Sequence, residues 1–238
     1  MGRGIRTVVA VVFSGLAASA TAMPLDITDI TGAWFNPTPV SGITINNVAD
    51  QGTDTVRWGT PATAAGQSGY NFTPAGDLLN VTLGSAFLVG TFQHVNQPVF
   101  GSLSSIDYSF GFATNGVPAA VSNVFHFIQT DTANAQPCPA GPEGPSISIC
   151  DDFVNISGAT FNQQITVGSD TYFFNLLGFS KDGGATIKTG FQSPEGETNT
   201  AGLYGIVTAA PISVPEPLSA ALLGLGLAAF AWARRRRS

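Results

Sequence analysis

Residues 105–112, SIDYSFGF, alternate strictly between polar or small and large apolar side chains. Side chains of a β-strand point to opposite faces of a sheet with a period of two residues. The pattern therefore predicts a half-buried strand, with one face in a core and the other in solvent. The residues predicted to enter the core are Ile106, Tyr108, Phe110 and Phe112.

Shorter runs of the same kind occur on both sides of this stretch. In residues 78–84, LLNVTLG, the apolar Leu79, Val81 and Leu83 alternate with polar residues and predict a second half-buried strand. Residues 123–129, NVFHFIQ, carry apolar residues on both faces. They predict a central strand covered on both sides, with His126 as a core histidine.

Turn residues separate these runs, and the body of the sequence lacks a sustained helical period. The segments TPAGD, TNGVP and KDGG contain the Gly, Pro, Asn and Asp residues that favour turns. No stretch of the body keeps apolar residues at helical spacing for three turns. Many short strands joined by such turns predict an all-β ectodomain over residues 23–210, an antiparallel β-sandwich or jelly roll.

The first 22 residues have the three parts of a secretory signal peptide. Arg3 and Arg6 provide a positive start, residues 7–18 form an apolar stretch, and Ala20 and Ala22 are the small residues that signal peptidase accepts. The apolar stretch is short for a membrane span. We expect a signal helix that is removed after Ala22, and the alternative is an uncleaved membrane anchor.

Residues 211–238 combine a proline-containing box, an apolar segment and a basic end. The box consists of Val214, Pro215, Glu216 and Pro217, and residues 218–233 follow it without a charge. This segment predicts one C-terminal transmembrane helix, about 24 Å long. By the positive-inside rule, the basic residues behind it stop translocation and stay in the cytoplasm. These residues are Arg234, Arg235, Arg236 and Arg237.

This C-terminal arrangement resembles the PEP-CTERM sorting signal of Gram-negative bacteria, with residues 215–217 as the recognition box. The resemblance implies that the protein passes transiently through the inner membrane and is processed by exosortase, a transpeptidase-like membrane enzyme. It also implies a place in the cell envelope, on the cell surface or in the extracellular matrix of a bacterium that makes exopolysaccharide and biofilm. An ordinary C-terminal membrane anchor is the alternative.

The exported part of the chain is strongly acidic. Between the two basic ends only Arg57, Lys181 and Lys188 are basic, against 14 acidic residues, which gives a formal balance of −11. Phosphate backbones would repel such a domain, so we expect no nucleic-acid partner.

Cys138 and Cys150 are the only cysteines of the chain. In an exported protein, which enters an oxidising compartment, such a pair predicts a disulfide. The alternative is a redox-active or metal-binding thiol pair, which would more often show the spacing C-x-x-C or a neighbouring histidine.

A second resemblance covers most of the first half of the body. Trp58 and Gly59, the segment SGYNF, and a later segment with His94 and Asn96 occur in the order seen in the THxN family of PEP-CTERM proteins. Gln93 stands where that family has threonine. The resemblance implies no particular activity.

The segment around His94 allows two interpretations. Asn96 lies two residues before Pro98, where asparagine often fixes a turn, and His94 could bond to a carbonyl across the sheet. On this view both residues form a structural corner. On the other view they face a ligand at the rim of the sandwich.

Motifs of known catalytic and metal sites are missing from the sequence. We find no G-x-S-x-G, H-E-x-x-H or Walker pattern, and we expect neither catalytic residues nor a cofactor. Asp50 and Asp54 are candidate calcium ligands, although their spacing differs from the known calcium loop and they also fit a solvated surface.

These features together predict an exported, non-enzymatic protein with a structural or adhesive role in an exopolysaccharide or biofilm. Two other classes stay open, a carbohydrate-binding module and a secreted hydrolase. The first would need an exposed row of aromatic rings, and the second would need converging acids or a triad in a cleft. Candidates for a sugar platform, which equally fit a core, are Trp34, Trp58, Tyr70 and Tyr204.

Overall fold

The structure is a computed structural model, and the residues it describes form β-strands, turns and loops without a helix. None of the described ranges contains a helix with the length and apolar character needed to cross a membrane. The predicted signal peptide (residues 1–22) and sorting segment (residues 211–238) lie outside the described residues. Those residues are 25–39, 41–49, 51–118, 123–133, 136–148, 150–157, 163–167 and 170–209.

The strands are listed in chain order. They are β1 (Leu25–Thr38), β2 (Ile43–Asn46), β3 (Asp54–Trp58), β4 (Thr60–Pro61), β5 (Ser68–Pro74), β6 (Leu78–Val81), β7 (Ala86–Asn96), β8 (Val99–Phe100), β9 (Ser105–Thr114), β10 (Val117–Pro118), β11 (Asn123–Thr130), β12 (Asp152–Ser157), β13 (Gln163–Val167), β14 (Asp170–Ser180), β15 (Gly190–Ser193) and β16 (Glu197–Ala209).

Two antiparallel sheets and one short ribbon contain these strands. The first sheet has the order β15-β12-β11-β9-β1-β6, with β10 paired to β9. The second has the order β13-β14-β16-β7-β5-β3-β2. The ribbon pairs β4 with β8, Thr60 opposite Phe100 and Pro61 opposite Val99. Two antiparallel sheets that share one hydrophobic core are consistent with the predicted β-sandwich.

Aromatic side chains from both sheets fill the space between them. Tyr108 and Phe110 of β9 meet Phe72 of β5, with ring centroids 4.8 and 5.1 Å apart. Phe92 of β7 stacks on Phe127 of β11 at 5.7 Å. Such tilted and edge-on aromatic pairs stabilise a core beyond the area that they bury. The strand predicted over residues 105–112 is confirmed, because its four large apolar side chains are buried.

Two details of the predicted strands are wrong. Leu79 is 66% exposed, and Leu78 packs against the core instead. The reason is the left-handed backbone of Asn80 (φ 56°), which breaks the alternation at a bulge. Strand β11 is central, as predicted, but it is covered on one face only, because the sandwich has two layers. His126 therefore lies outside the core, 40% exposed, and its Nδ1 is 2.6 Å from the Asp107 carboxylate.

The predicted pairing of the cysteines is confirmed. Cys138 and Cys150 form a disulfide, with their Cα atoms 4.9 Å apart. The buried Asp151 fixes the end of this loop, because its carboxylate accepts hydrogen bonds from the backbone of Ser148 and from the side chain of Gln192.

Candidate functional site

The core becomes polar at one end of the sandwich, where β3 and β7 end and β5 and β12 begin. We call this region the polar end. Most buried interior positions of a protein are apolar, and buried polar side chains are found where they are paired or needed for function. The buried polar residues of this end are Ser68, His94, Asn96, Gln129, Thr132, Asp152 and Ser193.

His94 lies fully buried in the polar end. Its imidazole stacks on Trp58, with ring centroids 5.8 Å apart, and meets Tyr70 edge-on at 5.1 Å. Neither ring nitrogen has a hydrogen-bond partner among the residues that the structure describes. Burial lowers the pKa of His94 to about 3. The imidazole is therefore neutral at physiological pH and packs as an aromatic ring.

Asn96 connects two segments of the polar end. Its side-chain nitrogen donates to the backbone carbonyl of Ser193, 2.9 Å away, and its backbone carbonyl accepts from the Gly196 nitrogen at 2.8 Å. These two bonds hold the end of β7 to the connection between β15 and β16. The buried side-chain nitrogen of Asn96 therefore helps to position the backbone at the end of β15.

Ser68 and Gly59 hold the neighbouring backbone in place. The Ser68 hydroxyl donates to the carbonyl of Gln97 at 2.7 Å and accepts from the Gln97 nitrogen at 3.0 Å. Gly59 has a left-handed backbone (φ 78°), and a Cβ atom there would lie 2.6 Å from the side chain of Val99. Glycine is the residue that tolerates both the left-handed backbone and the lack of space for a Cβ atom. This is a physical reason for the glycine that follows Trp58 in the sequence.

Gln93 lies on the opposite, outer face of the second sheet. Its side-chain oxygen accepts from Asn71 at 3.0 Å, and its side-chain nitrogen donates to Thr200 at 3.3 Å. Asn71 in turn accepts from the guanidinium of Arg57 at 2.6 Å. These residues form a polar ladder across four strands. The position that departs from the THxN pattern therefore points away from His94.

A chain of hydrogen bonds connects the two sheets inside the polar end. The Tyr70 hydroxyl donates to the side-chain oxygen of Gln129 at 2.5 Å, and the Gln129 nitrogen donates to Asp152 at 3.1 Å. The backbone nitrogen of Thr132 donates to the other oxygen of Asp152 at 2.9 Å. Burial is the main cause that raises the pKa of Asp152 to about 7, despite the opposing bond from Thr132. Nearby acidic groups add to the rise.

A cavity of about 210 Å³ opens at the polar end. Trp58, Ser68 and Phe100 line it; Trp58 and Ser68 are buried, whereas Phe100 is exposed. A second cavity, of about 360 Å³, lies beside it and shares Trp58 and Phe100 with the first. The acidic residues that line the first cavity are Asp131, Asp152 and Glu195.

Of the two candidate calcium ligands, the structure describes Asp54, which lies at the opposite end of β3 from Trp58. Asp54 is buried in β3, and its two oxygens accept hydrogen bonds from the Tyr108 hydroxyl at 2.6 Å and the Val48 nitrogen at 2.8 Å. Asp50 lies outside the described residues. Within the described ranges no group of three or more His, Cys, Asp or Glu side chains is placed to hold a metal ion.

The aromatic residues considered for a sugar platform are largely internal. Trp34, Trp58 and Tyr70 are each no more than 2% exposed. The large aromatic ring that the structure leaves in solvent near the polar end is Phe100, at 72% exposure. Sequence reasoning missed it, because the dipeptide Val-Phe after Pro98 has the character of any short core strand.

Comparison with known proteins assigns the C-terminal segment. Residues 213–237 match the PEP-CTERM protein-sorting motif. This match spans the Pro-Glu-Pro box, the apolar segment and the arginine cluster. No curated protein matches the chain. The chain therefore carries a PEP-CTERM sorting signal, which implies export to the cell envelope or surface and processing by exosortase.

Proposed function

We propose that the protein is a non-enzymatic cell-surface or matrix protein of a Gram-negative bacterium, which exosortase sorts and which has a structural or adhesive role in an exopolysaccharide or biofilm. The observation that carries the proposal is the sorting motif at residues 213–237, attached to an acidic, disulfide-containing β-sandwich. Strands and a disulfide suit a protein that must persist outside the cell.

The construction of the body supports this role. The two sheets are cross-linked inside the core by the bond between Tyr108 and Asp54 and by the chain from Tyr70 to Asp152. The corner that resembles the THxN family, around Trp58 and His94, contributes packing and backbone geometry. A body held in this way can serve as a stable module on a surface.

A second candidate function is a carbohydrate-binding module. The observation that favours it is the exposed ring of Phe100 between two cavities. Exposed aromatic side chains beside polar groups are typical of ligand-binding surfaces. The two candidates are compatible, because an adhesive matrix protein needs a surface that binds matrix glycan.

Intact mass spectrometry of the protein recovered from the cell surface and the medium tests the sorting. We expect the wild-type mass to lack residues 1–22 and the segment that follows the Pro-Glu-Pro box. A variant with Pro215→Ala and Pro217→Ala should keep its C-terminal segment. Pro211→Ala, just outside the matched motif, is the control and should be processed like the wild type. A wild-type protein that keeps the whole C-terminal segment would contradict the proposal.

A further inference from the structure

The ribbon of β4 and β8 presents the exposed ring of Phe100 on a fixed backbone. Its strands are paired at Thr60 and Phe100, and the nitrogen of Ala62 donates to the carbonyl of Pro98 at 2.9 Å. The backbone of Gly59, directly before β4, packs closely against the side chain of Val99 in β8. A large apolar side chain held in solvent by a defined backbone is the usual anchor of a binding surface.

The two cavities that share Phe100 differ in volume and in acidity, but they have other features in common. Both combine aromatic surface with hydroxyl and amide groups, such as Ser102 and Gln67 in the larger and Gln97 in the smaller. The volume of about 360 Å³ falls in the range of small-molecule sites, roughly 300–1,000 Å³. Because the two cavities share Trp58 and Phe100, we treat them together as one groove.

Charge restricts what this groove can accept. No lysine or arginine is among the described residues that line either cavity, whereas Asp131, Asp152 and Glu195 line the smaller one. Anionic ligands, including phosphates and uronic acids, would be repelled. A suitable ligand offers hydroxyl donors to carboxylates and an apolar face to an aromatic ring.

We propose that this groove binds an uncharged oligosaccharide, with one sugar ring stacked on Phe100 and its hydroxyls donating to Asp131 and Glu195. A pyranose has a face of C–H groups, which suits the negative face of an aromatic ring, and a rim of hydroxyls, which suits acceptors. The inference rests on the proposed function for its biological setting, since the ligand would be a glycan outside the cell.

Calorimetric titration of the protein recovered from the cell surface tests the groove. The uncharged probes are cellohexaose, maltohexaose and chitohexaose, and the charged probes are an alginate hexamer and a fully deacetylated chitosan hexamer. We expect at least one uncharged probe to bind, and the alginate hexamer not to bind. Phe100→Ala should weaken binding by about tenfold or more, whereas Phe100→Tyr should largely retain it.

Leu79→Ala is the matched control, because Leu79 is similarly exposed but lies on β6, away from the groove. It should bind like the wild type. Failure of all three uncharged probes to bind, binding that Phe100→Ala leaves unchanged, or tighter binding of a charged probe would each overturn the inference.

Fluorescence gives a second readout of the same site. Trp58 lines both cavities, so a bound oligosaccharide should change its emission, and Trp58→Phe should abolish that change. A correctly sorted protein that binds none of the uncharged probes would overturn the groove and leave the sorting intact. An unsorted protein that binds them would contradict the proposed function and leave the groove intact.

Discussion

The imidazole of His94 stacks on the indole of Trp58 with ring centroids 5.8 Å apart, and it does so without a hydrogen bond to either ring nitrogen from the described residues. Leaving a buried polar atom without a partner costs about 1–3 kcal/mol. The unpaired nitrogens of His94 therefore lower the stability of the folded protein, although its ring packs well beside Trp58.

Replacing His94 by phenylalanine should remove this cost. We expect His94→Phe to raise the free energy of unfolding at pH 7 by roughly 1–2 kcal/mol, because the ring stacking is kept and the unpaired nitrogens are removed. Urea unfolding followed by circular dichroism measures the change. A destabilised variant would show that the imidazole has a favourable partner.

The stability of the wild type should also depend on the charge of His94. The folded pKa, about 3, lies below the ordinary value of 6.5, so the unfolded chain takes up a proton first as the pH falls. This contribution lowers the stability by about 3 kcal/mol between pH 7 and pH 4. The difference between wild type and His94→Phe isolates it. His126→Gln, which replaces the other histidine, should keep the loss, and equal pH profiles for wild type and His94→Phe would contradict the assignment.

Asp152 should give the stability a pH dependence opposite to that from His94. Its folded pKa of about 7 lies above the ordinary value of 3.8, so the folded protein holds an extra proton between these pH values. Stability should therefore fall by roughly 3–4 kcal/mol as the pH rises from 4 to 7 and then level off. In Asp152→Asn this contribution is absent. The side chain of the new asparagine can still bond to Gln129. If the Gln129 amide rotates, its oxygen accepts from the asparagine and its nitrogen donates to the Tyr70 hydroxyl, which can accept as well as donate.

Unfolding measured at several pH values tests the role of Asp152. Above pH 7, Asp152→Asn should be more stable than the wild type. Asp170→Asn, at an exposed position of β14, is the control and should follow the wild-type profile. A variant profile as steep as that of the wild type would show that other acids cause the dependence.

Gly59→Ala should destabilise the protein next to the ribbon of β4 and β8. The alanine would have to adopt a left-handed backbone (φ 78°), and its Cβ atom would lie 2.7 Å from the carbonyl oxygen of Gly101. We expect a loss of roughly 2–4 kcal/mol. Gly42→Ala has a similar φ of 75° but open space around the new atom, and it should cost only about 1 kcal/mol. Thermal unfolding compares the two, and equal losses would mean that the close approach is unimportant.

Removing the disulfide should lower stability. The bond between Cys138 and Cys150 closes a short loop, with a sequence separation of 12, and replacing both residues by serine should cost about 3 kcal/mol by the chain-entropy estimate. Urea unfolding of the variant, and of the wild type with and without a reducing agent, measures this cost. Unchanged stability would favour the alternative of a redox-active pair.

The strands that could be predicted are those that a local period defines. Residues 105–112 keep their alternation, because β9 lies between two other strands and one face meets the core. Leu79 could not be placed, because the left-handed backbone of Asn80 is a property of the folded bulge. Charge and polarity alone gave no indication that Asp152 is buried, since its partner Gln129 is more than twenty residues away.

The polar end could be recognised only in part. The sequence places Trp58, Gly59, His94 and Asn96 in a suggestive order, but the bond from Asn96 to Ser193 joins residues that are 97 positions apart. Contacts of this kind depend on the order of strands in the sheets, which a local pattern does not contain. For the same reason, the exposure of Phe100 and the burial of Trp34 could not be distinguished from the sequence.

The position of β16 has a mechanical consequence. This strand ends at Ala209, shortly before the sorting motif begins, and it lies between β14 and β7 in the middle of its sheet. If the protein is tethered through its C-terminal segment, a pulling force enters the sandwich along β16. The force then loads the hydrogen bonds to both neighbours in shear, so that many bonds must break together. A strand at the edge of the sheet could instead be peeled away one bond at a time.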